Sequence, residues 1–232
     1  MQSQDQFAQL CQAHGFCEYL NAIPPDWPAP KPKLIWFEAN ACSGDSISTL
    51  NVVKPKLGQL ICALFDIRYW EALMVGQGEQ AIQSLVETVE AGDFILVVEG
   101  AIATRDLGVY TVPFLLNDYA FTSLQLLQWM APHAQWIVAV GTCAAFGGPS
   151  AARPNLSGSK GVQDVITEPV VNVSGCPVNP DWLLGTLYHI VHFGRPELDR
   201  FNRPTLFYGA TVHTHCQRRS YFDKQQFAKQ LG

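Results

Sequence analysis

The sequence predicts an α/β fold with a doubly wound, largely parallel sheet. Three observations carry this reading. The runs Leu34–Phe37, Phe94–Val98, Gln135–Val140 and Pro169–Val173 are almost continuously apolar, as strands buried on both faces are. Stretches with helical character lie between them, which is the alternation of α/β proteins. Each run stops abruptly in small or turn-forming residues, and sites in open α/β sheets lie beyond such carboxyl ends.

Residues 1–32 read as an extension. Phe7–Leu20 fits a short helix, and Pro24, Pro25, Pro28, Pro30 and Pro32 enforce an extended lead-in, because proline fixes φ and lacks an N–H. Cys11 and Cys17 lie six apart there; packed or exposed thiols are the simpler reading, a metal pair the other.

Residues 33–193 form the regular domain. Its first strand, Leu34–Phe37, runs into a loop that carries Cys42 and Asp45, and a helix is expected from Ser46 to Leu50 with Ser46 or Ser48 as its cap. Ile61–Ile67 reads as the second strand, with Cys62 as a core thiol. Glu79–Glu90 is an amphipathic helix whose Ala81, Ile82, Leu85, Val86 and Val89 share one face. Phe94–Val98 is the third strand, ended by Glu99-Gly100, and Ala101–Pro113 reads as irregular. Asn117 or Asp118 is expected to cap a helix that runs to Met130, with Pro132 closing it. Gln135–Val140 follows, tipped by a loop from Gly141 to Gly148 that holds Cys143, and a Gly/Ser/Pro/Asn-rich loop fills 147–161. Pro169–Val173 leads directly to Cys176-Pro177, and Asn179 or Asp181 caps a helix through Val191. Residues 194–232 have no strong period and form an irregular C-terminal segment.

Composition narrows the function. Hydrophobic residues make up 48% of the chain and charged ones 15%, against about 25% charged in typical soluble domains. So sparse a surface charge suits either a compact chain with a large core or one whose surface a partner covers. A net charge of −5 argues against nucleic acid as a partner. The six basic and three acidic residues between Arg195 and Lys224 make only a modest local excess. No stretch is apolar and long enough to span a membrane. The start, Met1-Gln-Ser-Gln-Asp-Gln, lacks a basic leader region and a twin-arginine pair, so a cytoplasmic location is expected, with membrane association only through partners. Seven cysteines in that compartment read as thiols or metal ligands rather than disulfides.

Cys42, Cys143 and Cys176 share one setting, a strand tip beside glycine. If their strands are parallel neighbours, the three thiols emerge at one sheet edge, which suits a soft metal centre and an iron–sulfur cluster above all. Asp45 is the natural fourth ligand, since Gly44 lets the backbone curl so that Cys42 and Asp45 face one object. The alternative is that Asp45 turns away as a loop cap, with water or Ser46 completing the site. Glu38 and Glu99 either pass protons, bond to a partner, or act as ordinary strand-end hydrogen-bonding residues.

Taken together, Glu38-x3-Cys42-x-Gly44-Asp45, Val98-Glu-Gly-Ala-Ile102, Gly141-x-Cys143-x3-Gly147-Gly148, Gly175-Cys-Pro177 with Trp182, and His213-x2-Cys216-x-Arg-Arg219 resemble the small subunit of nickel–iron hydrogenases. The match runs in order from about residue 33 to 223. The resemblance implies a flavodoxin-like domain that binds the proximal 4Fe-4S cluster and docks on a large subunit carrying the nickel–iron centre. The partner would split hydrogen, and this chain would carry electrons towards a downstream acceptor. Cys42, Cys143 and Cys176 carry over as ligands. The family has C-x-G-C at the first motif where this chain has Cys42-Ser-Gly-Asp45, and an oxygen ligand is harder than thiolate. His213 and Cys216 match the first two ligands of a second, distal cluster whose other cysteines are missing before Gly232. The ligands of a medial cluster are missing too, so either further sequence carries further clusters or electrons pass to another subunit directly after the proximal cluster. A complete distal cluster is not expected, and His213 and Cys216 are vestigial, packed, or ligands that a partner completes.

Three other readings stay open. A flavodoxin-like FMN carrier would use Ser43, Gly44, Ser46, Ser48 and Thr49 to cradle a phosphate, leaving Cys143 and Cys176 unexplained. A scaffold subunit without a cluster is the second. The third is the homologous cluster-bearing subunit of complex I, against which the His213–Arg219 motif argues.

Overall fold

The computed structural model describes residues 27–52, 64–116 and 118–229. The helix expected at Phe7–Leu20, the thiols Cys11, Cys17 and Cys62, and the cap expected at Asn117 lie outside them.

Five strands, β1 (Lys33–Glu38), β2 (Asp66–Trp70), β3 (Phe94–Glu99), β6 (Trp136–Val140) and β7 (Val170–Val173), form one sheet in the order β2-β1-β3-β6-β7. Every pairing is parallel. Counted within the sheet, the order is 2-1-3-4-5, the flavodoxin-like winding with its switch point between β1 and β3. A separate antiparallel hairpin, β4 (Phe114–Leu116) and β5 (Tyr119–Phe121), sits on the connection after β3.

The helices are α1 (Gly44–Leu50), α2 (Glu79–Ala91), α3 (Ser123–Met130), α4 (Gly141–Phe146), α5 (Pro180–Phe193), α6 (Thr205–Tyr208), α7 (Val212–His215) and α8 (Arg219–Asp223). Alternation along the strands splits the core into two layers. Leu34, Trp36, Ile95, Val97, Val138 and Val171 face Leu183, Leu184 and Leu187 of α5. Ile35, Phe37, Leu96, Val98, Ile137 and Ala139 face α2 through Leu85 and Val89, and α3 through Leu126 and Leu127. Each such large side chain contributes about 1.5–3 kcal/mol through burial, and the central strands supply much of it. Trp27 joins the first layer, edge-on to Phe65 and 5.6 Å from Tyr188 between ring centres.

The register fixes the site. Glu38 pairs with Glu99, Glu99 with Val140, and Val140 with Val173. Four strands therefore end level, and the residues just beyond them share one edge.

Several expected boundaries move. β2 starts at Asp66, whose N–H bonds Pro32 O at 3.0 Å; Leu64 and Phe65 before it are buried but lie outside the ladder. The helix expected from Asn117 or Asp118 starts only at Ser123, because Asp118 turns the hairpin with φ 61°. Its cap is Thr122, whose hydroxyl accepts from Gln125 N while the Gln125 side chain accepts from Thr122 N, a capping box. The expected Cys143 loop is instead the short helix α4. Asn179 caps α5 as expected, accepting from Asp181 N and Trp182 N.

Candidate metal centre

The Cys42 loop is built around Glu99. This carboxylate is 1% exposed, and it accepts from Asp45 N (3.0 Å), Ser46 N (3.0 Å), Ser46 Oγ (2.6 Å) and Trp36 Nε1 (3.0 Å). It satisfies the orphan N–H groups that open α1, the work of a side-chain cap, from 54 residues away. Hence neither Ser46 nor Ser48 caps this helix: its first flanking residue is Ser43, at φ 55° with no side-chain cap bond. Of the readings for Glu99, the hydrogen-bonding one matches these contacts. Glu38 accepts from Ser43 Oγ at 2.5 Å, tying the strand end to the same loop. Trp70 donates from Nε1 to Ser46 Oγ at 3.1 Å, and its ring stacks on Trp36 at 4.2 Å.

Asp45 is buried too. Its Oδ1 accepts from Val178 N at 2.6 Å, and Ser48 Oγ donates to Val178 O at 2.7 Å, so α1 is stitched to the segment just past Cys176. Gly141, at φ 80°, packs against the carboxylate: a Cβ there would lie 1.9 Å from Asp45 Oδ2. Burial pushes the Asp45 carboxyl up to about 6, opposed by the Val178 hydrogen bond and helped by the Glu99 charge.

Cys42 and Cys176 are exposed thiols and Cys143 is half-buried. The Cys143 thiol is pushed up by burial and then by the negative charges of Cys176, Cys42, Asp45 and Glu99. Cys143 thus lies within electrostatic reach of Cys42, Cys176 and Asp45, the other residues that the sequence singles out. Glycines leave the sulfurs room: a Cβ at Gly148 would meet Cys143 Sγ at 2.5 Å, and one at Gly44 would meet Cys42 Sγ at 3.0 Å. Among the described residues, no three His, Cys, Asp or Glu side chains are close enough to share one metal ion. The donor set fits a multi-iron group, in which each ligand holds its own iron. Thiolates and carboxylate gathered without a cation repel one another, and an iron–sulfur core relieves that repulsion.

The phosphate cradle of the flavin reading is taken. Glu99 places a buried negative charge at the start of α1, and the hydroxyls of Ser46, Ser48 and Thr49 already donate to Glu99, Val178 O and Asp45 O. His213 and Cys216 lie elsewhere, on α7 and just after it, in a run from Gly209 to Lys229 that is exposed throughout. Nothing local in the sequence marks the Trp36–Trp70 stack or the bonds of Val178 to Asp45 and Ser48. The Thr122-x-x-Gln125 signature, by contrast, is local.

The comparisons with known proteins bear on the fold and the family. Residues 42–190 match the family described as NADH ubiquinone oxidoreductase, 20 Kd subunit. The periplasmic [NiFeSe] hydrogenase small subunit of Desulfomicrobium baculatum is 36% identical over 220 residues, covering 87% of this chain and 70% of that protein. The periplasmic [NiFe] hydrogenase small subunit 1 of Nitratidesulfovibrio vulgaris is 38% identical, covering 85% of this chain and 62% of that protein. The solved reduced, active form of the Desulfomicrobium baculatum Ni-Fe-Se hydrogenase superposes with a TM-score of 0.81 at 36% identity, over 86% of this chain and 78% of that one. The chain thus spans between three-fifths and seven-tenths of the length of these two curated relatives.

The relatives correct the expected cytoplasmic location, since both are periplasmic by name. The first residues of a sequence carry an address only when they form a leader, and their composition here is no evidence of compartment. The thiol state of Cys42, Cys143, Cys176 and Cys216 rests on geometry instead, for all four are free of disulfides. Among the described residues, no helix is long and apolar enough to cross a membrane. With its sheet order, its sheet-edge thiols and these likenesses, the chain belongs to the hydrogenase small subunits, within the wider family of the 20 kDa subunit of NADH–ubiquinone oxidoreductase.

Proposed function

We propose that this chain is the electron-transferring subunit of a nickel–iron hydrogenase, working against a large subunit that holds the nickel–iron centre. What supports the reading is that β1, β6 and β7 end level at one edge of the parallel sheet, with Cys42, Cys143 and Cys176 on the segments that follow them and Asp45 at the start of α1 beside the first. Cys42, Cys143 and Cys176 would hold a 4Fe-4S cluster, which supplies a one-electron relay between the partner's centre and the next acceptor. Gly44 and Gly148 admit the sulfur side of that group by presenting no Cβ. Asp45 is the fourth ligand in this reading: Val178 holds its Oδ1, leaving Oδ2 as the donor atom. The Glu99 lattice fixes the loop backbone before the group binds, so that little reorganisation accompanies electron transfer.

The partner surface is argued from exposure. Leu107, Val109, Tyr110, Leu115 and Tyr119 stand out on the connection that leaves β3. Contiguous exposed apolar groups on a sparsely charged protein mark a covered face, and the large subunit is the occupant this reading supplies.

Iron and acid-labile sulfide analysis of the chain purified with its partners, with low-temperature EPR after reduction, tests the assignment. About four irons per chain and one reduced-cluster signal are expected from these ligands; about twelve would place further clusters on additional sequence, and none would sink the reading in favour of the scaffold. Asp45→Cys should change the cluster's EPR spectrum and potential, because thiolate replaces a harder oxygen donor. An unchanged spectrum and potential would remove Asp45 from the ligand set.

A further inference from the structure

The connection that leaves β3 makes a turn that most side chains avoid. Asp106 (φ 50°, ψ 46°), Leu107 (φ 59°, ψ 23°) and Gly108 (φ 83°) are three consecutive left-handed residues. Glycine adopts that conformation freely and aspartate visits it, but leucine there crowds its Cβ against the following carbonyl. Such strain persists only where the surroundings over-determine it, and it gathers at functional sites.

Both flanks of the turn are pinned. Before it, Thr104 N and Arg105 N donate to Ser157 O at 3.2 and 3.0 Å, and Thr104 Oγ1 donates to Gly158 O at 2.7 Å. After it, Gly108 is wedged against the start of α3: a Cβ there would lie 2.9 Å from Leu124 Cβ and 3.2 Å from Thr122 Oγ1. Thr122 Oγ1 also donates to Leu107 O at 3.1 Å. The Leu107 side chain itself stands 78% exposed. The fold thus maintains a costly backbone around an apolar group that gains little from burial within this chain.

The start of α3 ties in the rest of the face. Gln125 Nε2 donates to Tyr119 OH at 3.1 Å, in the β4–β5 hairpin, and Ser123 N donates to Thr111 O at 2.9 Å. One frame therefore carries Leu107 together with the exposed Val109, Tyr110, Leu115 and Tyr119.

We infer that the left-handed turn at Asp106–Gly108 is a preset anchor for the large subunit: it holds Leu107 outward to enter an apolar pocket on that partner, with Val109, Tyr110, Leu115 and Tyr119 around it. The inference rests on the reading that a large subunit covers this face. Both curated relatives are small subunits by name, which supplies the occupant. A conformation fixed during folding adds no ordering cost at docking. A central apolar anchor ringed by lesser contacts is also how interfaces concentrate their energy.

The test uses the chain assembled with its large subunit, the latter tagged and immobilised, and follows release of this chain into fresh buffer. Leu107→Asn suits a left-handed backbone but is polar, and should leave about tenfold faster than the unaltered chain. Leu107→Met keeps an apolar anchor and should stay within about twofold. Asp106→Gly frees the turn without touching the anchor, and should leave about threefold faster. Val75→Ala trims a side chain 95% exposed on the connection between β2 and α2, and should leave at the unaltered rate. Iron content and the amide hydrogen exchange of β3 and β6 should match across the set, which separates docking from the thiol site and from the fold. Release of Leu107→Asn no faster than that of Val75→Ala overturns the inference, and so does release of Leu107→Met as fast as that of Leu107→Asn. An unaltered rate in Asp106→Gly overturns the claim that the turn is preset. Unaltered release of Leu107→Asn from an assembly whose mass has halved would give the face to a second copy of the complex, and overturns the inference too. An unaltered chain that binds no large subunit sinks the subunit reading itself.

Discussion

The sheet-edge site and the C-terminal arm both carry metal-competent side chains, yet they are built in opposite ways. Around Cys42, the loop and the start of α1 are fixed by buried partners distant in sequence: Glu99 under Asp45 and Ser46, Val178 against Asp45, Gly141 beneath the carboxylate. Around His213 and Cys216, the bonds are local and exposed, such as Thr211 to Thr214 and Arg219 to Asp223. A preformed pocket pays its ordering cost during folding, whereas an exposed arm leaves that cost to whatever covers it. The first region is held by buried, long-range contacts; the second is exposed along its described length.

Substitutions should separate the two. The largest effect is expected for Gly141→Ala, which drives a Cβ into Asp45 and forces a left-handed φ on alanine; the loss is ~3 kcal/mol or more from backbone strain and the broken Val178 bond. Chemical unfolding and iron content should fall together, and full iron in a stable variant would show that Asp45 does not need its present place. Glu99→Gln comes next. An amide NH2 faces donors where the carboxylate accepted four hydrogen bonds, at a cost of about 2–4 kcal/mol. Retained stability there would mean that α1 opens without its distant cap.

A smaller effect concerns α5, which packs on the sheet. His189 is buried, donates from Nδ1 to Gly194 O at 3.1 Å, and has its pKa lowered, first by burial. The unfolded chain therefore binds a proton that the folded one resists. This contribution to stability is complete above the free-histidine range near pH 6.5 and is lost as pH falls below it. The slope of melting temperature against pH in that window should flatten in His189→Gln; an unaltered slope would assign it to other groups. The smallest effect is expected in the arm, where Phe222→Ala should change stability of the chain by less than about 0.5 kcal/mol. A larger change would show that the arm is part of the cooperative fold after all.

How legible each part was in the sequence follows the range of its contacts. The strands were readable because burial on both faces leaves continuous apolar runs such as Phe94–Val98. The thiols were readable because each follows such a run. Glu99 was not, since its role depends on N–H groups 53 and 54 residues away, and nothing local separates a cap for a distant helix from an ordinary strand end. The hairpin at 114–121 was hidden by chemistry that serves two purposes. Asp118 suits a helix cap and a left-handed turn equally, and only strand pairing decided for the turn. Cys143 was expected in a loop because glycines flank it, but Thr142 to Phe146 hold enough helix formers to wind one turn.

The tryptophan pair beneath the Cys42 loop has an optical consequence. Trp36 and Trp70 lie within 5° of parallel at 4.2 Å, and their indole N–H groups end on Glu99 and Ser46. Indoles that close share their excited states and absorb as a coupled unit. Their near-ultraviolet circular dichroism is thus a built-in gauge of the Glu99 lattice, readable without labelling or disturbing a single thiol.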